Sequence, residues 1–183
     1  MNRKMFCVVA LTALAITSAM AVKNPMVGGQ EMLPSKNIIQ NAVNSADHTT
    51  LVAAVKAAGL VETLEGSGPF TVFAPTNSAF NKLPAGTVDT LLQPENKPTL
   101  TKVLTYHVVA GRLSSQDLMK KIRQGKGSAE LTTVSGGKLW VMMGEGNSVV
   151  LKDEKGGMAK VTIADVFQSN GVIHVIDTVV MPN

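Results

Sequence analysis

Between residues 35 and 125 the apolar positions recur every three or four residues, whereas from residue 130 onward they alternate or run together. The first rhythm predicts helices and the second strands. A short helix carries Ile38, Ile39 and Val43 behind a Ser35 cap, and a second runs from Thr49 with Leu51, Val52 and Val55 on one side, closed by Gly59 in a left-handed cap. Val88, Leu91 and Leu92 mark a further short helix before Pro94; Leu100, Val103, Leu104 and His107 form a helical stripe that ends in a histidine; Ser114 to Arg123 turns Leu118, Met119 and Ile122 inward. Leu131–Val134, Leu139–Met143, Val149–Lys152 and Val161–Ala164 read as strands joined by Gly-rich hairpin turns, and Val172–Val180 as an interior strand. Helices first and hairpins last describe an α+β domain.

The two rhythms meet at Gly68-Pro69-Phe70-Thr71-Val72-Phe73-Ala74-Pro75-Thr76-Asn77-Ser78-Ala79-Phe80. Phe70 to Ala74 is apolar on both faces, as a buried strand requires, and Pro75 ends it. Thr76 or Asn77 then caps a helix bearing Ala79, Phe80 and Leu83. The polar run between Phe73 and Phe80 has a structural task, bonding nearby backbone groups.

Ahead of the domain, Arg3-Lys4, an apolar run from Met5 to Ile16 and the triplet Ala19-Met20-Ala21 have the order of a secretory signal peptide over 1–21. Val22 to Pro34, with Pro25, Gly28-Gly29 and Pro34, reads as a flexible arm, and the domain is expected over 35–183. The single cysteine, Cys7, lies in the leader, so the domain is held by its core alone. About 160 residues suffice, since a chain of that size buries roughly 68–70% of its unfolded surface. Seventeen basic against thirteen acidic residues, two of the basic ones in the leader, neither demand nor exclude an anionic partner. With one Trp and one Tyr, the chain lacks the interleaved aromatics of a nucleic-acid platform.

Three boxes stand out: Thr71-Val72-Phe73-Ala74-Pro75-Thr76-Asn77-Ser78-Ala79-Phe80, then Tyr106-His107, then Asn170 to Pro182. In order and wording they resemble the fasciclin domain over roughly Ser35 to Asn183. The resemblance implies a β-wedge of about seven strands packed with several short α-helices, the first and last boxes paired near its centre. It also implies a secreted or surface-held adhesion or matrix module, of which bacterial examples commonly carry one domain behind a signal peptide. In some animal members an Asp–Ile pair just before the last box and the Tyr–His box are linked to integrin binding. Asp165-Val166 and Tyr106-His107 occupy the matching places, with Ile163-Ala164 where a Glu–Pro stands there.

Sharper chemistry has weak support. His107, His174 and Asp177 with Ser78 offer atoms for a metal or catalytic site, but residues 174 and 177 point to opposite faces of a regular strand. There is no Gly-x-Ser-x-Gly elbow and no His-Glu-x-x-His pair. The histidines are expected as hydrogen-bonded core residues, and Asp177 as buried and bonded to the turn between Thr71 and Asn77. Met142, Met143 and Met158 are read as gap fillers before a copper site, and Lys120, Lys121, Arg123 and Lys126 as a solvated helix end before a glycan or lipid contact. The expected protein is thus a non-enzymatic module without cofactor or metal, secreted to the periplasm or the cell exterior. It binds a cell-surface or matrix protein or a glycan, in adhesion, matrix or biofilm contact. The alternative is a periplasmic small-ligand carrier or hydrolase using a groove between helices and sheet.

Overall fold

A computed structural model describes residues 23–183, and the expected leader over 1–21 lies outside them. The elements run in chain order β1 (Met26–Val27), β2 (Gln30–Glu31), α1 (Ile38–Ala42), α2 (Thr49–Ala58), α3 (Val61–Glu65), β3 (Phe70–Pro75), α4 (Asn77–Asn81), α5 (Thr87–Leu92) and α6 (Lys97–Tyr106). Then follow β4 (Val108–Ala110), α7 (Ser115–Gln124), β5 (Ser128–Thr132), β6 (Lys138–Met143), β7 (Val149–Lys152), β8 (Met158–Gln168) and β9 (Gly171–Ile176). Seven strands form one sheet in the order β4-β3-β9-β8-β7-β6-β5. Its ends approach each other where Val109 bridges Thr133, so the sheet curls toward a barrel.

The first and last sequence boxes are neighbours. β3 and β9 pair in parallel from Phe70 opposite Gly171 to Pro75 opposite Ile176, and each has a second strand on its other side. A strand in that position is buried on both faces, which is why both read as continuous apolar runs. Val72, Ala74, Ile173 and Val175 point toward a core shared with helices α1 to α6. Phe73 and Ile176 point the other way, into a second core where Leu118 and Ile122 of α7 pack on Leu131, Leu139, Val141 and Leu151 of the meander β5–β7.

The helix ends follow their capping chemistry. Thr76 accepts a bond from the Ala79 amide and starts α4, Ser114 and Asp117 form a capping box at α7, and Gly59 closes α2 at φ 73°. At α1 the cap is Asn37, not Ser35: its side chain accepts from the Gln40 amide while Gln40 reciprocates. Because α1 stops at Ala42, Val43 turns outward and is 48% exposed, against the inward place expected for it.

Residues 23–34, expected as part of a flexible arm, pack against the domain. β1 and β2 form a small hairpin that buries Val27 and Met32 in the helical core. Asn24 clasps it to the sheet, donating to the carbonyls of Met32 and Phe167 and accepting from the Phe167 amide. At Gly28 (φ +59°) a Cβ would lie 2.5 Å from the Ser45 hydroxyl, so the glycine is what lets the hairpin close onto the turn before α2. The run of Pro and Gly that suggested looseness is the chemistry of this tight turn.

Candidate functional site

Tyr106 and His107 end α6, and both are buried. The Tyr106 hydroxyl donates to the Lys138 carbonyl at 2.5 Å and accepts from the Glu154 amide at 3.2 Å, tying α6 to two hairpin loops. Burial pushes its hydroxyl up to about 12. His107 donates from Nδ1 to the Val103 carbonyl (2.8 Å), and its Nε2 accepts from the Val180 amide (3.3 Å). Desolvation holds it neutral and lowers its pKa to about 4.

Asp165 and Val166 lie in an irregular stretch of β8, where the register against β9 shifts between Ile163 and Val166. Asp165 has φ +59°, and its carboxylate accepts from both the amide and the hydroxyl of Ser115, at the start of α7. Val166 is wholly buried. Of the four residues that the resemblance brings forward for binding, three therefore have no free surface in the folded domain, and Asp165, half-buried, is occupied in holding α7. Their polar groups are engaged inside the fold, at the end of α6 and in the irregular stretch of β8.

A buried polar line runs beneath them. The Thr71 hydroxyl donates to the Gly111 carbonyl (2.6 Å) and accepts from the Leu113 amide (2.9 Å). His174 donates from Nε2 to the Leu113 carbonyl (2.8 Å), accepts at Nδ1 from the Asp165 amide (3.4 Å), and stacks on Phe73 with centroids 5.7 Å apart. Arg112 donates to the carbonyls of Gly171 and Gln168 and covers the Phe167 ring. Four side chains thus pin the 111–115 loop to the sheet. Burial lowers the His174 pKa, so this imidazole is neutral and fully used as one donor and one acceptor.

Asn77 accepts from the Thr50 amide and donates to the Ala46 carbonyl, joining α4 to the start of α2. Asp177 departs from its expected place. It lies past the end of β9, half-exposed, and accepts from the Lys160 amide (2.9 Å) and the Thr178 hydroxyl (3.0 Å) beside Lys82 (3.5 Å); it makes no bond to the segment from Thr71 to Asn77, whose polar groups are met by Gly111, Leu113, Ala46 and the helix α4 itself. Partial burial pushes its carboxyl up, but the amide, hydroxyl and ammonium outweigh it and hold it below the ordinary carboxylate range. Asp177→Asn is accordingly expected to cost less than about 1 kcal/mol, as exposed pairs do. Calorimetric melting within a few degrees of the parent meets this expectation; a drop beyond about 10 °C contradicts it.

The sequence reading passed over the third histidine. His48 is 3% exposed: its Nδ1 pairs with the Ser45 hydroxyl (2.9 Å), and its Nε2 has no hydrogen-bond partner. Burial lowers its pKa despite the influence of the Ala74 carbonyl, which falls short of hydrogen-bonding geometry. It lines a cavity between α1, α2 and the sheet whose other walls are almost entirely apolar, Val27, Met32 and Leu51 among them. The free volume is about 50 Å³. That is room on the scale of bound water, well below the roughly 300–1,000 Å³ of pockets for small ligands. Among the described residues no group of three or more His, Cys, Asp or Glu side chains is placed to hold a metal ion. His107 and His174 are each saturated by separate backbone groups, so the geometry does not join them with Asp177 into a catalytic set.

The sequence profile of the fasciclin domain matches residues 46–182. Protein sll1483 of Synechocystis sp. is 44% identical over 183 residues, covering 94% of this chain and 93% of that protein. Immunogenic protein MPB70 of Mycobacterium bovis is 40% identical over 146 residues, covering 77% of this chain and 66% of its own length. Among solved structures, the FAS1 domain pair from the insect cell adhesion molecule fasciclin I superposes with a TM-score of 0.69 at 21% identity, over 80% of this chain and 51% of that one, a likeness of fold.

Proposed function

This chain belongs to the fasciclin domain family, and on that footing we propose that it is an exported, non-enzymatic adhesion module that meets a surface or matrix component outside the cytoplasm. One observation carries the reading. The polar groups that suggested chemistry are spent on the fold: His107, His174, Thr71 and Asp165 each hold backbone or loop partners, so recognition is left to the outer surface. The insect protein that shares the fold is a cell adhesion molecule, which supports the same class of role. The charged, apolar, small-residue order of residues 1–21 supports export, and among the described residues no helix is long and apolar enough to cross a membrane. The carrier reading has less support: the enclosed cavity beside His48 is too small for a ligand pocket, and the hollow of about 600 Å³ between α7 and the sheet is an open surface depression.

The test is retention. The exported chain, purified from the cells that make it, is incubated with whole cells, immobilised matrix proteins and a glycan panel. Saturable retention on at least one of these is the expected result. Retention on none, together with a small molecule that co-purifies, would replace this reading with the carrier.

A further inference from the structure

The meander has two faces and only one is covered. α7 lies on the inner face, over Leu131, Leu139, Val141 and Leu151. On the outer face two cross-strand rows follow from the register: Glu130, Trp140, Lys152 and Met158 in one, and Ser128, Met142, Val150 and Lys160 in the other. The only tryptophan of the chain therefore sits partly exposed in the middle of an open sheet face. Beside it lies a surface hollow of about 480 Å³, walled by Trp140, Met142, Ser128, Lys152 and the turn from Asp153 to Gly156. That is within the range of ligand-sized depressions.

The charges around the hollow are not equivalent. Every acid is engaged: Glu130 pairs with Lys138 at 3.2 Å, Asp153 accepts from the amides of Lys155, Gly157 and Met181, and Glu154 accepts from those of Lys138 and Asn183. Among the described residues the ammonium groups of Lys152, Lys155 and Lys160 hold neither an ion pair nor a hydrogen bond. An indole face, electron-rich at its centre, packs well against the apolar C–H face of a sugar ring, and free ammonium groups meet a carboxylate as point charges. Met142, Val150 and Met158 add apolar area beside the indole, but protein interfaces are depleted in lysine, and Lys152 and Lys155 at the rim of the hollow favour an anionic partner.

We propose that the Trp140 face binds an acidic polysaccharide, a hexuronate ring stacking on Trp140 with its carboxylate toward Lys152 and Lys155. This rests on the adhesion reading and specifies its partner class.

Because Trp140 is the only tryptophan, its fluorescence reports on this site alone. The purified exported chain is titrated with polygalacturonate oligomers, with dextran oligomers, and with poly-glutamate at matched charge. The expected result is a saturable change in emission and protection from acrylamide quenching with polygalacturonate, absent with dextran and poly-glutamate, and weakening as salt is raised. Lys152→Gln with Lys155→Gln should lower the affinity at least tenfold, whereas Lys120→Gln with Lys121→Gln, on α7 beneath the opposite face, should leave it unchanged. Trp140→Leu, checked for unaltered melting, should abolish retention on immobilised polygalacturonate; if it unfolds, quenching protection in the parent decides. Equal response to poly-glutamate would mean simple attraction between charges and overturn the proposal, as would binding that leaves Trp140 silent. Retention on cells or another glycan with Trp140 silent would sink this site and leave the adhesion reading standing; silence together with no retention anywhere would sink both.

Discussion

Replacing Asn170 by alanine is expected to lower the unfolding free energy by about 2–4 kcal/mol. Asn170 is 8% exposed and sits in the turn between β8 and β9. Its Oδ1 accepts from the Ile38 amide at the start of α1 (3.1 Å), and its Nδ2 donates to the carbonyls of Leu64 (2.7 Å) and Gly66 (2.9 Å), which end α3. One amide group therefore satisfies three backbone groups from two helices and joins them to the central strand pair. Alanine strands all three, and an unmade bond to a buried group costs more than a made one returns. The backbone of Asn170 adds a fourth link by accepting from the Phe70 amide at 3.0 Å, just where β3 begins. Asn170→Asp should be no milder at neutral pH, because it keeps the acceptor for Ile38 but sets a carboxylate against two carbonyls. Denaturant unfolding of both variants checks this; melting of the alanine variant within about 3 °C of the parent would show that the clasp contributes little.

What the sequence made legible follows from how local each signal is. β3 and β9 were readable because a strand buried on both faces must be apolar throughout, and their pairing was implied by the resemblance to the fasciclin domain. Core histidines were readable because His107 ends an apolar helical stripe and His174 stands between aliphatic residues. Asp177 was misplaced because the strand was extended to Val180, although β9 ends at Ile176 and Asp177 lies in a half-exposed bend before Val179 and Val180 return to the core. The hairpin at 24–32 was missed because its anchors are long-range: Asn24 meets Phe167, 143 positions away, and no spacing rule reports that. His48 was missed because the cavity it lines is walled by residues from the hairpin, α1, α2 and the sheet, far apart along the chain. Trp140 could have been found, since alternation through Leu139, Trp140 and Val141 places the indole opposite the aliphatic pair and so outside the core.

Stability is expected to fall as the pH is lowered from about 6.5 toward 4, before carboxylates contribute. All three histidines among the described residues are buried, and desolvation lowers the pKa of each, that of His107 to about 4. In the unfolded chain they titrate near 6.5. Between these values the unfolded chain binds more protons than the folded one, so stability rises with pH there: it is complete above 6.5 and is lost on acidification. For His107 alone the loss by pH 4 is on the order of 3 kcal/mol, a large share of the roughly 5–15 kcal/mol that holds a domain together. The carboxyls of Asp117, Glu154 and Asp177 are held below the ordinary range, so their loss comes at lower pH and does not mask the window. Melting temperatures taken from pH 7.5 to 4.5 should hold level down to about 6.5 and fall below it. His107→Gln, which can donate to Val103 and accept from Val180 without titrating, should flatten the curve while starting lower. A melting temperature unchanged between pH 7 and 5 would mean that His107 and His174 gain solvent or a counter-charge on protonation, and that the polar line beneath the 111–115 loop is looser than its hydrogen bonds imply.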